Sequence, residues 1–166
     1  MSLFGKQRDV KFFRGVNREV LHKIVSVYVD VYQLSMNQTK VNLYGEAEQG
    51  SKVYYQPVRV ACRIADDPQS AEYIDRGVDV GQTCIFKFLA DDLTDANLTI
   101  DIGDIIYWNN GYYEVDNMIK NKLLLNKDPD TNLADSDTGY NSFIDCVTHL
   151  TKHNKLQLVR TRSGKN

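Results

Sequence analysis

Cysteine, histidine and carboxylate are the side chains best able to carry chemistry in this chain, and their spacing offers three sites to weigh. Cys146, His149 and His153 have zinc-ligand chemistry at zinc-like spacing. A structural zinc takes four ligands, and no CxxC supplies the others. Strand alternation also turns Cys146 and His149 to opposite faces. The loop DPDTNLADSDTG puts Asp128, Asp130 and Asn132 at positions one, three and five of a calcium loop. That loop needs glycine at position six and a bidentate glutamate at position twelve, where this chain has Leu133 and Gly139. Paired Asp91-Asp92 could do acid–base work in a cleft, but at a helix start such a pair complements the helix dipole. His22 has no partner nearby in sequence, and neither a GxSxG nor a phosphate-binding glycine loop is present. The expectation is a protein that is not an enzyme, with no metal and no cofactor.

Ten tyrosines and one tryptophan could form a stacking platform for nucleic acid. Charge argues against it. Residues 1–24 carry a net +4 and residues 147–166 a net +5, while 25–146 carry −11, giving −2 in all. The aromatics sit mostly in the acidic middle, which repels phosphate. They are better assigned to the core and to subunit interfaces. Basic ends on an acidic body suit arms that reach a partner.

At 166 residues the chain is expected to form one domain with a real core. No apolar run approaches the roughly 20 residues of a membrane helix, and the start lacks a signal-peptide core. The expectation is a cytosolic chain in which Cys62, Cys84 and Cys146 stay buried and reduced.

The elements that must position these residues are mostly strands. Val27, Val29 and Val31 alternate with Tyr28, Asp30 and Tyr32, the period of a strand. Lys52–Ile64 reads as a second strand, with Pro57 demanding an edge or a bulge. Gln82–Leu89 reads as a third, placing Cys84, Phe86 and Phe88 opposite Ile85, Lys87 and Leu89. Gln69–Gly81 has no firm pattern. Asn17 can cap a short helix over Arg18–Val25, and Ala90–Asn97 gives a helical turn. The stretch DIGDIIYWNNGYYEVD predicts a hairpin with Asn110-Gly111 as its two-residue turn. Trp108 would then face Tyr113 and Ile106 face Val115, with Tyr107 opposite Glu114 and Ile105 opposite Asp116. Met118–Asn121 would turn the chain, Lys122–Asn126 would return as a strand, and Asn141–Leu150 and Lys155–Arg160 would follow.

About seven short strands and two helical pieces predict a mainly β fold: a small antiparallel barrel or sandwich with one or two short helices and extended terminal arms. Residues 1–15 form the N-terminal arm, 16–160 the single β-rich domain and 161–166 a basic tail. Residues 1–15 have no steady period yet hold Phe4, Phe12 and Phe13 among basic residues, so the arm is expected to dock on a neighbour. Candidate neighbour contacts are Phe4, Phe12, Phe13, Arg14, Lys152, Lys155, Arg160 and Arg162. Trp108, Asn110, Gly111 and Tyr113 are the residues on which the hairpin should depend.

The order of Asn17–Leu21, VDVYQLS, Thr39–Ala47, KVYYQPVRVACRI, the long run from DVGQTCIFKF to GYYEVDN, NKDPD and CVTHLTKHNKLQL resembles the neck proteins of contractile-tailed bacteriophages. The resemblance covers about Asn17 to Leu158 and rests on order, since each motif alone has low specificity. It implies a virion structural protein, assembled in the host cytoplasm, whose copies form a ring that closes the filled head and joins it to the tail. The implied partners are copies of the chain, with a hexamer expected, portal or adaptor proteins on the head side, and the tail terminator on the other. Packaged DNA would pass through without sequence-specific binding, and no membrane is involved. A tail-completion or baseplate component stays open, as does a small barrel module that binds nucleic acid or carbohydrate.

Overall fold

Six strands close on themselves around a core of aromatic and β-branched side chains. The computed structural model describes residues 7–39, 52–66, 70–74, 77–123 and 141–151. Among them are helix α1 (Gln7–Glu19), a π-helical turn over Val20–Val25, strands β1 (Tyr28–Tyr32), β2 (Val58–Asp66), β3 (Ser70–Ile74), β4 (Gly77–Gly81) and β5 (Thr83–Leu89), helix α2 (Ala90–Asp95), and strands β6 (Ile105–Trp108), β7 (Gly111–Leu123) and β8 (Asn141–Thr151). The barrel runs β1-β2-β5-β8-β7-β6, and β6 returns to pair with β1. Strands β3 and β4 form a separate two-stranded sheet in the stretch that has no firm sequence pattern.

Alternation explains which residues fill the interior. Val29 and Val31 from β1, Val60 and Cys62 from β2, and Cys84, Phe86 and Phe88 from β5 all belong to one buried cluster. Phe86 meets Trp108 and Tyr113 edge-on, with ring centroids 6.2 and 5.5 Å away. Such pairs add roughly 0.5–1.5 kcal/mol beyond the area they bury. Leu98 and Ile100, from the segment between α2 and β6, complete the filling. A small second core of Tyr32, Ile105 and Tyr112 lies on the other face of the sheet, covered by Tyr54 and Tyr107.

Four expectations need correction. The hairpin turn is Asn109-Asn110, both at positive φ (46° and 62°), and not Asn110-Gly111. Ile106 therefore pairs with Tyr113 and Tyr107 with Tyr112, a slip of two residues. A two-residue slip preserves facing, so Trp108, Ile106, Tyr113 and Val115 still point into the core. Second, β7 runs straight through 118–121 to Leu123, with register shifts along its pairing to β8, so there is no turn there. Third, the second strand begins after Pro57, which removes the proline from the ladder. Upstream, Tyr54 makes only an isolated bridge to Leu34. Fourth, the stretch expected to be an aperiodic arm is helical from Gln7, and the helix crosses the 15/16 boundary without a break. Phe4, the loops 128–139, and Lys155–Arg160 lie outside the described residues.

The turn register makes a test. Gly111 packs tightly: a Cβ there would stand 3.0 Å from the Tyr113 ring and 3.1 Å from Leu150 Cδ1. Gly111→Val should therefore cost on the order of 1–3 kcal/mol through overpacking. Asn110→Gly should be neutral or stabilising and Asn110→Val should cost about 1–2 kcal/mol, because residue 110 occupies the left-handed position. Urea denaturation that finds Asn110→Val harmless would place the turn elsewhere.

Candidate interaction surface

Helix α1 is held to the barrel through charge. Arg14, Arg18 and His22 recur at four-residue spacing, on one helical face, and meet the carboxylates of α2. Arg14 Nη1 lies 3.6 Å from Asp91 Oδ1. Arg18 Nε is 3.0 Å from Asp92 Oδ1, and the same guanidinium donates a hydrogen bond to Asp95. His22 Nε2 is 2.8 Å from Asp92 Oδ2, and its Nδ1 is 3.4 Å from the Tyr28 hydroxyl. The Asp95 hydrogen bond, opposed by partial burial and helped by the charges of Asp92, Asp95 and Asp91, raises the Arg18 pKa further above its ordinary value. Asp92 is itself buried. The acidic pair thus anchors a helix, and His22 finds partners that sequence proximity concealed.

The π-helical turn completes the seat. Leu21 is buried against Ala61, Leu89 and Phe143, on the outer wall formed by β2, β5 and β8. The Ser26 amide donates to the Leu21 carbonyl at 2.9 Å, and Ser26 ends the helix at φ 50°.

With its basic face turned inward, α1 and the π-helical turn after it show their apolar residues to solvent. Phe12 (66% exposed), Phe13, Val16, Val20 and Ile24 (76%) are all exposed. At ~100° per residue the three on α1, Phe12, Phe13 and Val16, fall within an arc of about 100°. Phe12 and Phe13 touch edge-on, with centroids 5.9 Å apart. The predicted contact residues therefore divide. Phe12 and Phe13 stand on this ridge, whereas Arg14 is turned into its own chain. Lys152, Lys155, Arg160 and Arg162 lie outside the described residues, as does Phe4.

A concave surface is lined by other elements. The segment after β1, the segment before β2, the turn before β6 and the side of β7 enclose a cleft of about 460 Å3. Leu34, Met36, Tyr55, Ile102 and Met118 give it an apolar lining, with Asp101 at its edge. Met36 and Ile102 are largely exposed. Sequence reasoning missed this site because its walls come from four distant segments.

Asp104 holds the cleft together. Its Oδ1 accepts the Leu34 amide and its Oδ2 the Asp101 amide, both at 2.8 Å. Gly103, at φ 94°, donates its amide to Val115 and permits the tight turn. Burial raises the Asp104 pKa above its ordinary value, the two amide hydrogen bonds lower it in part, and Asp101 adds to the rise.

The metal and thiol candidates separate in space. Cys146 points into the core while His149 is outside, 2.8 Å from Asp116. Burial pushes the Cys62 and Cys146 thiols up to about 12, so they are inert as nucleophiles at neutral pH. Among the described residues no group of three histidine, cysteine or acidic side chains could hold a metal. No helix among them is long and apolar enough to cross a membrane.

These features define a small closed antiparallel β-barrel with a helix laid on its wall. No family model and no curated protein matches the chain. Among solved structures it is similar to a chain from the virion of a native gene transfer agent particle. The match has a TM-score of 0.43 and 7% identity, and covers 74% of this chain and 91% of the other. Likeness at that level carries no functional argument.

Two variants test the geometry. Asp92→Asn should cost about 1–2 kcal/mol by weakening the charge-assisted contacts to Arg18 and His22. Amide exchange should quicken through residues 7–25, and unchanged exchange there would refute the anchoring role. For Asp104 the sign follows from its raised pKa. Stability from the protonated form is present below the ordinary carboxylate range and is lost as pH rises through the raised value. The stability of the wild type relative to Asp104→Asn should therefore fall over that rise, and a flat difference would contradict the burial account.

Proposed function

We propose that this protein is a virion structural subunit, copies of which form a ring in the neck of a contractile-tailed phage. One observation carries the reading: a helix anchored by ion pairs holds its apolar face outward, a surface suited to burial against protein. Each phenylalanine buried there contributes roughly 1.5–3 kcal/mol. The ordered motifs that resemble neck proteins support the position between head and tail. An acidic body of net −11 over residues 25–146 is compatible with a channel through which DNA slides without adhering. The function needs no active site, and the acid–base groups that come together between α1 and α2 are engaged in holding the helix.

The test combines imaging with assembly. Purified protein should give rings in negative stain and no salt-resistant oligonucleotide binding on filters. The paired substitution Phe12→Ser with Ile24→Ser should leave the unfolding midpoint within experimental error, since both side chains are largely exposed, yet abolish incorporation into particles. A chain that stays monomeric and binds oligonucleotide at moderate salt would reverse the proposal in favour of a nucleic-acid-binding barrel.

A further inference from the structure

The first helical stretch is held to its own chain in two different ways along its length. Arg14 and Arg18 reach the α2 carboxylates from α1 itself, and Asn17 Nδ2 lies 3.5 Å from Ser142 Oγ. None of the buried apolar clusters contains a described side chain from Gln7–Glu19. The π-helical turn is seated otherwise. Leu21 is 3% exposed and packs on Ala61, Leu89 and Phe143. Just beyond the turn the Val27 carbonyl accepts the Cys62 amide at 2.9 Å, which ties the chain to β2. The apolar seat therefore lies at the junction between α1 and the barrel.

We propose that α1 opens away from the barrel as a unit of its own, pivoting on the π-helical turn while the barrel and the Leu21 seat stay folded. This goes beyond the ring reading and does not depend on it. Opening gives up the polar contacts of Arg14, Asn17 and Arg18 and, among the described side chains, no buried apolar cluster. Regions with few buried apolar contacts open at the low end of the range of local stabilities. Asp92 is the group that could forbid it, because a buried charge stripped of its partners is costly. Two features lift that penalty. His22 sits on the pivot, 2.8 Å from Asp92 Oδ2, and stays behind as a partner. Water also enters where Arg14 and Arg18 leave, since the departing helix uncovers the carboxylates it faced. The turn itself already departs from the α ladder, with the Ser26 amide donating five residues back to Leu21 at 2.9 Å. The Glu19–Lys23 pair that spans the junction is exposed on both sides and restrains it little. The Arg18–Asp95 pair, 47% and 59% exposed, is of the kind that salt screens. Salt should therefore favour the open form. Once open, the helix offers a neighbour its basic face as well as its apolar ridge.

Native-state amide exchange of the full chain reads the opening. A helix of 13 residues does not hold its own hydrogen bonds once undocked, so opening and exchange coincide. Amides 11–19 should exchange on the order of a hundredfold faster than those of β5 and β7. They should quicken again, by up to about fivefold, between low and molar sodium chloride, while β5 and β7 respond far less. Spin labels at Phe12→Cys and Thr83→Cys separate opening from fraying in place. Both positions are exposed, and the native cysteines Cys62, Cys84 and Cys146 are buried. The labels should show a second, broad distance population that grows with salt. Amides 11–19 that exchange no faster than β5 would overturn the proposal, because only global unfolding would then release the helix. A single narrow distance at every salt concentration would overturn it too, since fast exchange would then come from fraying of a docked helix.

Discussion

A buried carboxylate decides which way the first helix faces. Asp92 sits at the start of α2 with little solvent around it, and a charge so placed must be matched. Arg18 on α1 and His22 on the π-helical turn match it, and Arg14 extends the same row to Asp91. Once that basic row is fixed inward, the geometry of the helix leaves its apolar row outside. In an ordinary surface helix the apolar stripe would face the core. Here electrostatics takes that place, and among the described residues Leu21 and Val25 supply apolar contact beneath the last turn.

The barrel makes this arrangement affordable. Its core is filled from within by Phe86, Phe88 and the hairpin aromatics, so it does not need α1 as a lid. The helix is thus free to serve as an external feature. At the rim, a second carboxylate does comparable work on the backbone, since Asp104 joins the end of β1 to the turn before β6 through two amides. One aspartate positions the ridge and another shapes the cleft.

The strands were legible in the sequence because one face of each is buried, and burial on one face imposes a period of two. Cys84, Phe86 and Phe88 showed this plainly, as did Val29 and Val31. The hairpin was legible in its facing but not in its register. Asn110-Gly111 is the favoured turn pair, yet at Gly111 the space beside Tyr113 and Leu150 suits a residue without a Cβ, and Asn109-Asn110 tolerates the left-handed geometry. Packing selected the slip, and alternation hid it. The helical stretch over Arg18–Val25 was legible, but helix α1 upstream of it, through the expected cap Asn17, was missed for another reason. Phe12, Val16, Val20 and Ile24 do recur at four-residue spacing, but an adjacent Phe13 and the interleaved bases obscured the stripe. The core-facing row also carries no apolar period, because the inward residues are charged. The cleft had no local signal, being assembled from segments as far apart as Leu34 and Met118.

Closure of the barrel has a consequence for how the chain comes to exist at all. The seam is the pairing of β1 with β6, which brings Val31 opposite Ile106 across more than seventy intervening positions. Pairing of β6 with β7 is local, and the next most distant pairing, β5 with β8, sets Phe86 opposite Cys146 across nearly sixty positions. Long loops must be closed before that seam pays back any of its entropic cost, so it forms late and slowly. Until it does, two strands rich in valine and isoleucine carry unpaired backbone donors and acceptors, the template on which aggregates grow. The yield of soluble protein during synthesis is therefore a race between one intramolecular zipper and its intermolecular imitations, run afresh by each copy.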